Sequence, residues 1–154
     1  MAMMDADSTF IDTNVLVYAA IENAPLHRVA LRAIGAHATP GAPCWVSRQI
    51  MREYLCVLTR PQSFTPAIPS ATVAKQVRHL ESRFRVAEDS RQVTERLLAV
   101  IEQFSVGGKR IHDANIVATM LTYQIPFLLT HNTKDFNVFS GLITVLPLED
   151  EEQP

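Results

Sequence analysis

The chain has 154 residues, 47% of them hydrophobic and 19% charged, and a formal charge of −2. That length suits one domain with a substantial core, since a domain of about 150 residues buries roughly 70% of the surface its unfolded chain exposes. The charge argues against a broadly basic protein that coats nucleic acid, and the longest apolar run, Val15 to Ile21, is far shorter than the roughly 20 residues of a membrane span.

Ser8 to Ile11 reads as a short buried strand ending at Asp12. A helix is expected from Asn14 to about Glu22, broken at Asn23-Ala24-Pro25. Pro25 suits the first turn of a second helix, in which Leu26, Val29, Ala30, Ala33 and Ile34 recur at helical spacing. Thr39 to Pro43 is a loop rich in Pro and Gly. Cys44-Trp45-Val46 reads as a second strand. Ser47 is placed to cap the next helix, with Ile50, Tyr54, Val57 and Leu58 on its apolar stripe and Glu53 beside them.

Pro61 ends that helix, and the segment from Pro61 to Pro69 is a surface connection. Ser70 is a candidate cap for a helix that turns Val73, Val77, Leu80 and Phe84 inward, and Phe84 to Ala87 is a third strand. Ser90 opens a helix with Val93, Leu97, Leu98, Ile101 and Phe104 on one face. Val106 to Arg110 is a basic loop that leads to His112 and Asp113. Ile116, Val117, Met120 and Tyr123 mark a further helix. Pro126 to Thr130 and Ile143 to Leu146 are the last strands, and an acidic tail covers 149–154. Short apolar strands alternating with helices indicate an α/β fold whose parallel sheet is covered on both faces. Ligands on such sheets bind beyond the carboxyl ends of the strands, where Asp12 and Thr130 are expected.

Four acids stand out: Asp12, Glu53, Asp113 and Asp135. Each adjoins an apolar segment, where a carboxylate is costly unless paired or metal-bound. Singly, each has a plain explanation. Asp12 caps a helix, Glu53 is a solvated helix residue, Asp113 favours a helix dipole and Asp135 begins a turn. Together, in one pocket, they would repel, and a hard cation with oxygen ligands relieves that repulsion. The five histidines have no zinc-like spacing; His112 and His131 flank the acids. Lys109, Arg110 and Lys134 are candidates for contact with a phosphate backbone, and Trp45 and Tyr54 for the core or a dimer contact. Cys44 and Cys56 form no Cys-x-x-Cys pair and are expected as small buried hydrophobes.

At these motifs the chain resembles the PIN-domain ribonucleases, in particular the VapC type of bacterial toxin. The matching segments are Phe10-Ile11-Asp12-Thr13-Asn14-Val15-Leu16, Glu53 in its helix, Ile111-His112-Asp113-Ala114, and Leu129 to Phe136. They follow the family's order along nearly the whole chain. The resemblance implies a three-layer α/β/α sandwich with a central, mainly parallel sheet, one nuclease domain over 1–148 and a tail over 149–154. It implies an endoribonuclease that hydrolyses RNA phosphodiester bonds with Mg²⁺ or Mn²⁺. Asp12, Glu53, Asp113 and Asp135 would form the catalytic and metal site, with Asn14, Thr130 and Asn132 as polar supports. It also implies a cognate antitoxin and a homodimer. Many members carry an acid where this chain has Asn132, so Asp135 or Asn132 completes the site.

A phosphatase with an aspartyl nucleophile would want a second carboxylate at the position of Asn14. The alternative within the family is a degenerate PIN-like module that binds RNA or a partner without cutting. No Gly-x-Gly-x-x-Gly or phosphate-cradling Gly-Lys-Ser/Thr loop is present, which counts against a nucleotide-binding domain. No basic and apolar signal sequence opens the chain, so the expected compartment is the cytoplasm, with no membrane partner.

Overall fold

A computed structural model describes residues 7–149. Five strands, β1 (Thr9–Ile11), β2 (Cys44–Ser47), β3 (Arg85–Ala87), β4 (Phe127–Thr130) and β5 (Thr144–Pro147), form one sheet in the order β3-β2-β1-β4-β5. Every pairing is parallel, with Phe10 opposite Trp45 on one side and Leu128 on the other. Parallel neighbours need crossovers, and helices supply them: α1 (Thr13–Ala20), α2 (His27–His37), α3 (Arg48–Leu58), α4 (Ser70–Arg83), α5 (Arg91–Phe104) and α6 (Arg110–Tyr123). A short α7 (Thr133–Phe136) and a single 3₁₀ turn (Asn137–Phe139) lead into β5. Helix α1 packs on α2 and α3, α3 on α4, and α5 on α6. The architecture is a three-layer α/β/α sandwich.

The central strands are short but apolar on both faces. Phe10, Ile11, Val46 and Leu128 are fully buried, and Leu129 nearly so. Their burial drives assembly; truncating a side chain such as Phe10 to Ala would cost about 3–5 kcal/mol. The strand order reverses at β1. The chain builds outward through β2 and β3, then returns to lay β4 and β5 on the other side. The crevice of such a sheet opens beyond the carboxyl ends of the strands at the reversal, here β1 and β4.

Ser47 and Ser90 cap α3 and α5 as expected, accepting from the N–H groups of Ile50 and Val93. Elsewhere the local readings change. Pro25 precedes α2 instead of entering it, and Leu26 adopts a left-handed conformation (φ 57°) to turn the chain into the helix. Ser70 is the first residue of α4 rather than its cap, and the capping position falls to Pro69, which makes no side-chain cap bond. Arg110 belongs to α6, not to the loop before it. Leu98 is 46% exposed, while Val100 takes the buried position on α5. Cys44 is buried but Cys56 is exposed. Tyr54 and Leu58 are core residues, while Leu55 between them on α3 is only partly buried. Of the tail, Glu149 alone lies within the described residues. Among those residues no helix is long and apolar enough to cross a membrane.

Candidate active site

Asp12 follows β1 directly. Its own N–H donates to the carbonyl of Leu129 at 3.0 Å, continuing the bonding between β1 and β4. Its carboxylate faces inward over the crevice and is only 6% exposed. Oδ1 accepts from the N–H of Thr13 at 2.8 Å, where it caps α1. Oδ2 accepts from the hydroxyl of Thr130 at 2.7 Å and from Nδ2 of Asn14 at 3.2 Å. Burial pushes the Asp12 carboxyl up to about 6; the Thr130 and Thr13 bonds oppose this, and the charge of Glu53 adds to it.

Thr130 closes β4 and serves as a junction. Its hydroxyl donates to Asp12 and accepts from the N–H of Asn132 at 3.0 Å and from Nδ2 of Asn14 at 3.4 Å. Asn14 Oδ1 in turn accepts from the N–H of His131 at 2.9 Å. The three expected polar supports therefore hold Asp12 and the loop after β4 as one unit. Asn132 contributes its backbone to this unit, and its side chain lines the cleft.

Glu53 sits halfway along α3. Oε2 accepts from the hydroxyl of Thr13 at 2.7 Å and Oε1 from Nε2 of Gln49 at 3.0 Å. Gln49, one turn earlier on α3, is itself buried. Nε2 also donates to the carbonyl of His112 at 2.9 Å, and Oε1 accepts from Nδ2 of Asn115 at 2.7 Å. One amide thus ties Glu53 to His112 and Asn115, which flank Asp113 along α6. Sequence reading passed over Gln49 and Asn115; the available signal was the four-residue spacing of Gln49 and Glu53 on one helix face.

Asp113 lies in the first turn of α6 and is half-buried. Its carboxyl is pushed up to about 6, first by burial, then by the charges of Asp135, Asp12 and Glu53, with Arg110 pulling the other way. Asp135 lies on α7 and is exposed. All four acids line a single cleft of about 690 Å³. They arrive from the end of β1, from α3, from α6 and from α7.

The donors converging there are carboxylate oxygens, the set a hard divalent cation takes. Among the described residues no three His, Cys, Asp or Glu side chains stand close enough together to hold a metal ion unaided. The acids would have to share an ion with water or phosphate oxygens, as Mg²⁺ commonly does.

The other expected contacts divide. His112 lines the cleft, whereas His131 packs edge-on against Tyr18 at 5.6 Å. Lys109, Arg110 and Lys134 are exposed and outside the cleft lining; Arg52 and Arg60 line it instead. Trp45 is partly buried between Tyr123 and the guanidinium of Arg85.

The PIN domain family model matches residues 9–142. No curated protein matches the chain. Among solved structures, a toxin–antitoxin complex from Klebsiella pneumoniae is similar at 24% identity and a TM-score of 0.66, over 93% of this chain and 99% of that one. VapBC2 from Rickettsia felis, bound to a DNA fragment from its promoter, is similar at 18% identity and 0.65, over 90% and 97%. VapC20 from Mycobacterium tuberculosis, a toxin that cleaves the sarcin–ricin loop, is similar at 20% identity and 0.60, over 79% and 87%. At such identities the likeness is one of fold.

Proposed function

The chain belongs to the PIN domain family, and from that premise we propose that it is a metal-dependent endoribonuclease, the toxin of a type II toxin–antitoxin pair. One observation carries the reading: four carboxylates from four separate elements line one cleft at the sheet's reversal point. No purely structural role asks for that convergence. Asp12 and Asp113 would hold the cation, Glu53 would bind it or orient water, and Asp135 would complete the set directly or through water. When bound, Mg²⁺ or Mn²⁺ lowers the pKa of water and stabilises charge on the phosphate.

The chain's own part is orientation and proton handling. Thr130, Thr13 and Asn14 fix the Asp12 carboxylate in one rotamer. Thr13 and Gln49 fix Glu53 from both sides. Groups held this way need little reorganisation as charge develops on a phosphate. Glu53, bonded but half-open to the cleft, can take a proton from water in line with the scissile bond.

The toxin role is supported by the fold shared with toxins of known complexes. It brings a cognate antitoxin, a cytoplasmic setting and a homodimer; since Tyr54 and Leu58 are buried, the dimer uses other surface. Light scattering tests the dimer. The central test is cleavage of total RNA with Mg²⁺, Mn²⁺ or chelator. Cleavage is expected with either ion and should stop with chelator. Either ion should also raise the melting temperature, by about 2.7 kcal/mol of stability at a hundredfold excess over Kd. Undiminished cleavage in excess chelator would sink the mechanism.

A further inference from the structure

The cleft that holds the acids is also lined by Tyr18, Phe64, Arg52 and Arg60. Tyr18 and Phe64 meet edge to face, with centroids 6.0 Å apart and planes at 76°. Tyr18 also meets His131 edge-on, with centroids 5.6 Å apart. Phe64 sits in a tight turn in which Gln62 and Thr65 exchange backbone bonds of 2.8 and 3.4 Å. Gln62 anchors the turn to α3 by donating to the carbonyl of Val57 at 2.8 Å. Both rings are therefore set before anything binds.

Arg60 follows α3 closely, and its Nε donates to the carbonyl of Cys56 at 3.1 Å, which leaves the terminal nitrogens of the guanidinium for other partners. Arg52 lies two turns earlier and is mostly exposed, with Asp89 no nearer than 3.8 Å.

We propose that Tyr18 and Phe64 form a nucleobase subsite of this cleft, in which one ring stacks on an unpaired base of an RNA strand and the other closes on its edge, while Arg52 and Arg60 hold the flanking phosphates. The inference rests on the nuclease reading and deepens it, by naming the side chains that would grip the strand beside the cut. An aromatic shelf beside cations is the common device for gripping a splayed single strand. The acids repel phosphate, so the strand must be drawn in by other groups.

The test measures binding of a short labelled oligoribonucleotide to Asp113→Asn protein in chelator, so that no cleavage intervenes. Tyr18→Leu and Phe64→Leu are each expected to weaken binding on the order of tenfold. Tyr18→Phe should retain it, because the ring face is kept. Arg60→Ala should lower the salt slope by about 0.7, the value of one phosphate contact on a single strand. The same strand in a duplex should bind far more weakly.

Wild-type binding by Phe64→Leu at an unchanged melting temperature would overturn the subsite, and so would equal binding of duplex. Loss of binding to an antitoxin peptide, with RNA binding intact, would give the shelf to a protein and equally overturn it. The two readings separate cleanly. A chain that cuts RNA with both rings dispensable keeps the nuclease and loses the subsite. A chain that grips single strands through the rings but never cuts loses the nuclease instead.

Discussion

The hydroxyl of Thr13 donates a 2.7 Å hydrogen bond to Oε2 of Glu53. The residue next to one acid therefore holds another acid 40 positions away. Thr13→Val keeps the shape and removes this bond. It should cost about 1 kcal/mol of stability and reduce kcat about tenfold with KM little changed. Thr13→Ser should restore most of the rate. Steady-state kinetics on one RNA, with melting temperatures, decide the matter; an unchanged kcat in Thr13→Val would show that Glu53 needs no such support.

Asp12 predicts a pH dependence. Its carboxyl is raised from an ordinary 3.8 to about 6, chiefly by burial. Between those values the folded chain binds more protons than the unfolded one. Stability of the metal-free protein should therefore fall as pH rises through that window, and level off above it. The full effect is about 3 kcal/mol. Asp12→Asn removes it, since a neutral amide caps a helix about as well as a carboxylate. In chelator the variant should match wild type near pH 4 and exceed it by pH 7, while cleavage falls by orders of magnitude. Denaturant titrations across that range provide the check. A constant difference between the two proteins would contradict the burial argument.

Asp113→Asn and Asp135→Asn separate two roles. Asp113 is half-buried and its carboxyl is raised first by burial and then by three neighbouring acids, whereas Asp135 is exposed on a single helical turn. Asp113→Asn should abolish cleavage and blunt the melting shift produced by Mn²⁺. Asp135→Asn should cost about tenfold in rate and leave most of that shift. Equal and complete losses would place Asp135 among the direct ligands.

Gln49 is the buried amide that holds Glu53 within α3 and joins α3 to α6 by two further bonds. Gln49→Leu fills the same space but leaves the His112 carbonyl and the Asn115 amide without this partner. The expected loss is about 2–3 kcal/mol of stability, together with a fall in cleavage even at temperatures where the variant is folded. A folded variant with full activity would make Gln49 structural only.

The sheet was readable because its strands are short, apolar and separated by helical periodicity. β1, β2, β4 and β5 fall within a residue of their expected bounds. The acids were readable because charge beside apolar sequence is costly and asks for a reason. What stayed hidden was set by tertiary contact. Leu98 and Leu97 both fit an apolar stripe, and only the packing of α5 on α6 decides which faces water. Gln49 is an ordinary polar residue until α6 arrives to meet it. α7 is a single turn, too short for periodicity to register, and the left-handed Leu26 follows from how α1 must meet α2, a relation no local pattern encodes.

The hydroxyl that fixes Asp12 lies 118 residues downstream of it. A chain emerging from the ribosome thus completes β1, α1 and α3 long before β4 exists to pair with β1. Until Thr130 has cleared the exit tunnel, Asp12 lacks its strongest partner, and Asp113 and Asp135 have no seat in the cleft. The chemistry proposed for this cleft accordingly waits until β4 has been made and has paired with β1. For the proposed toxin, that interval is time in which its antitoxin can be waiting.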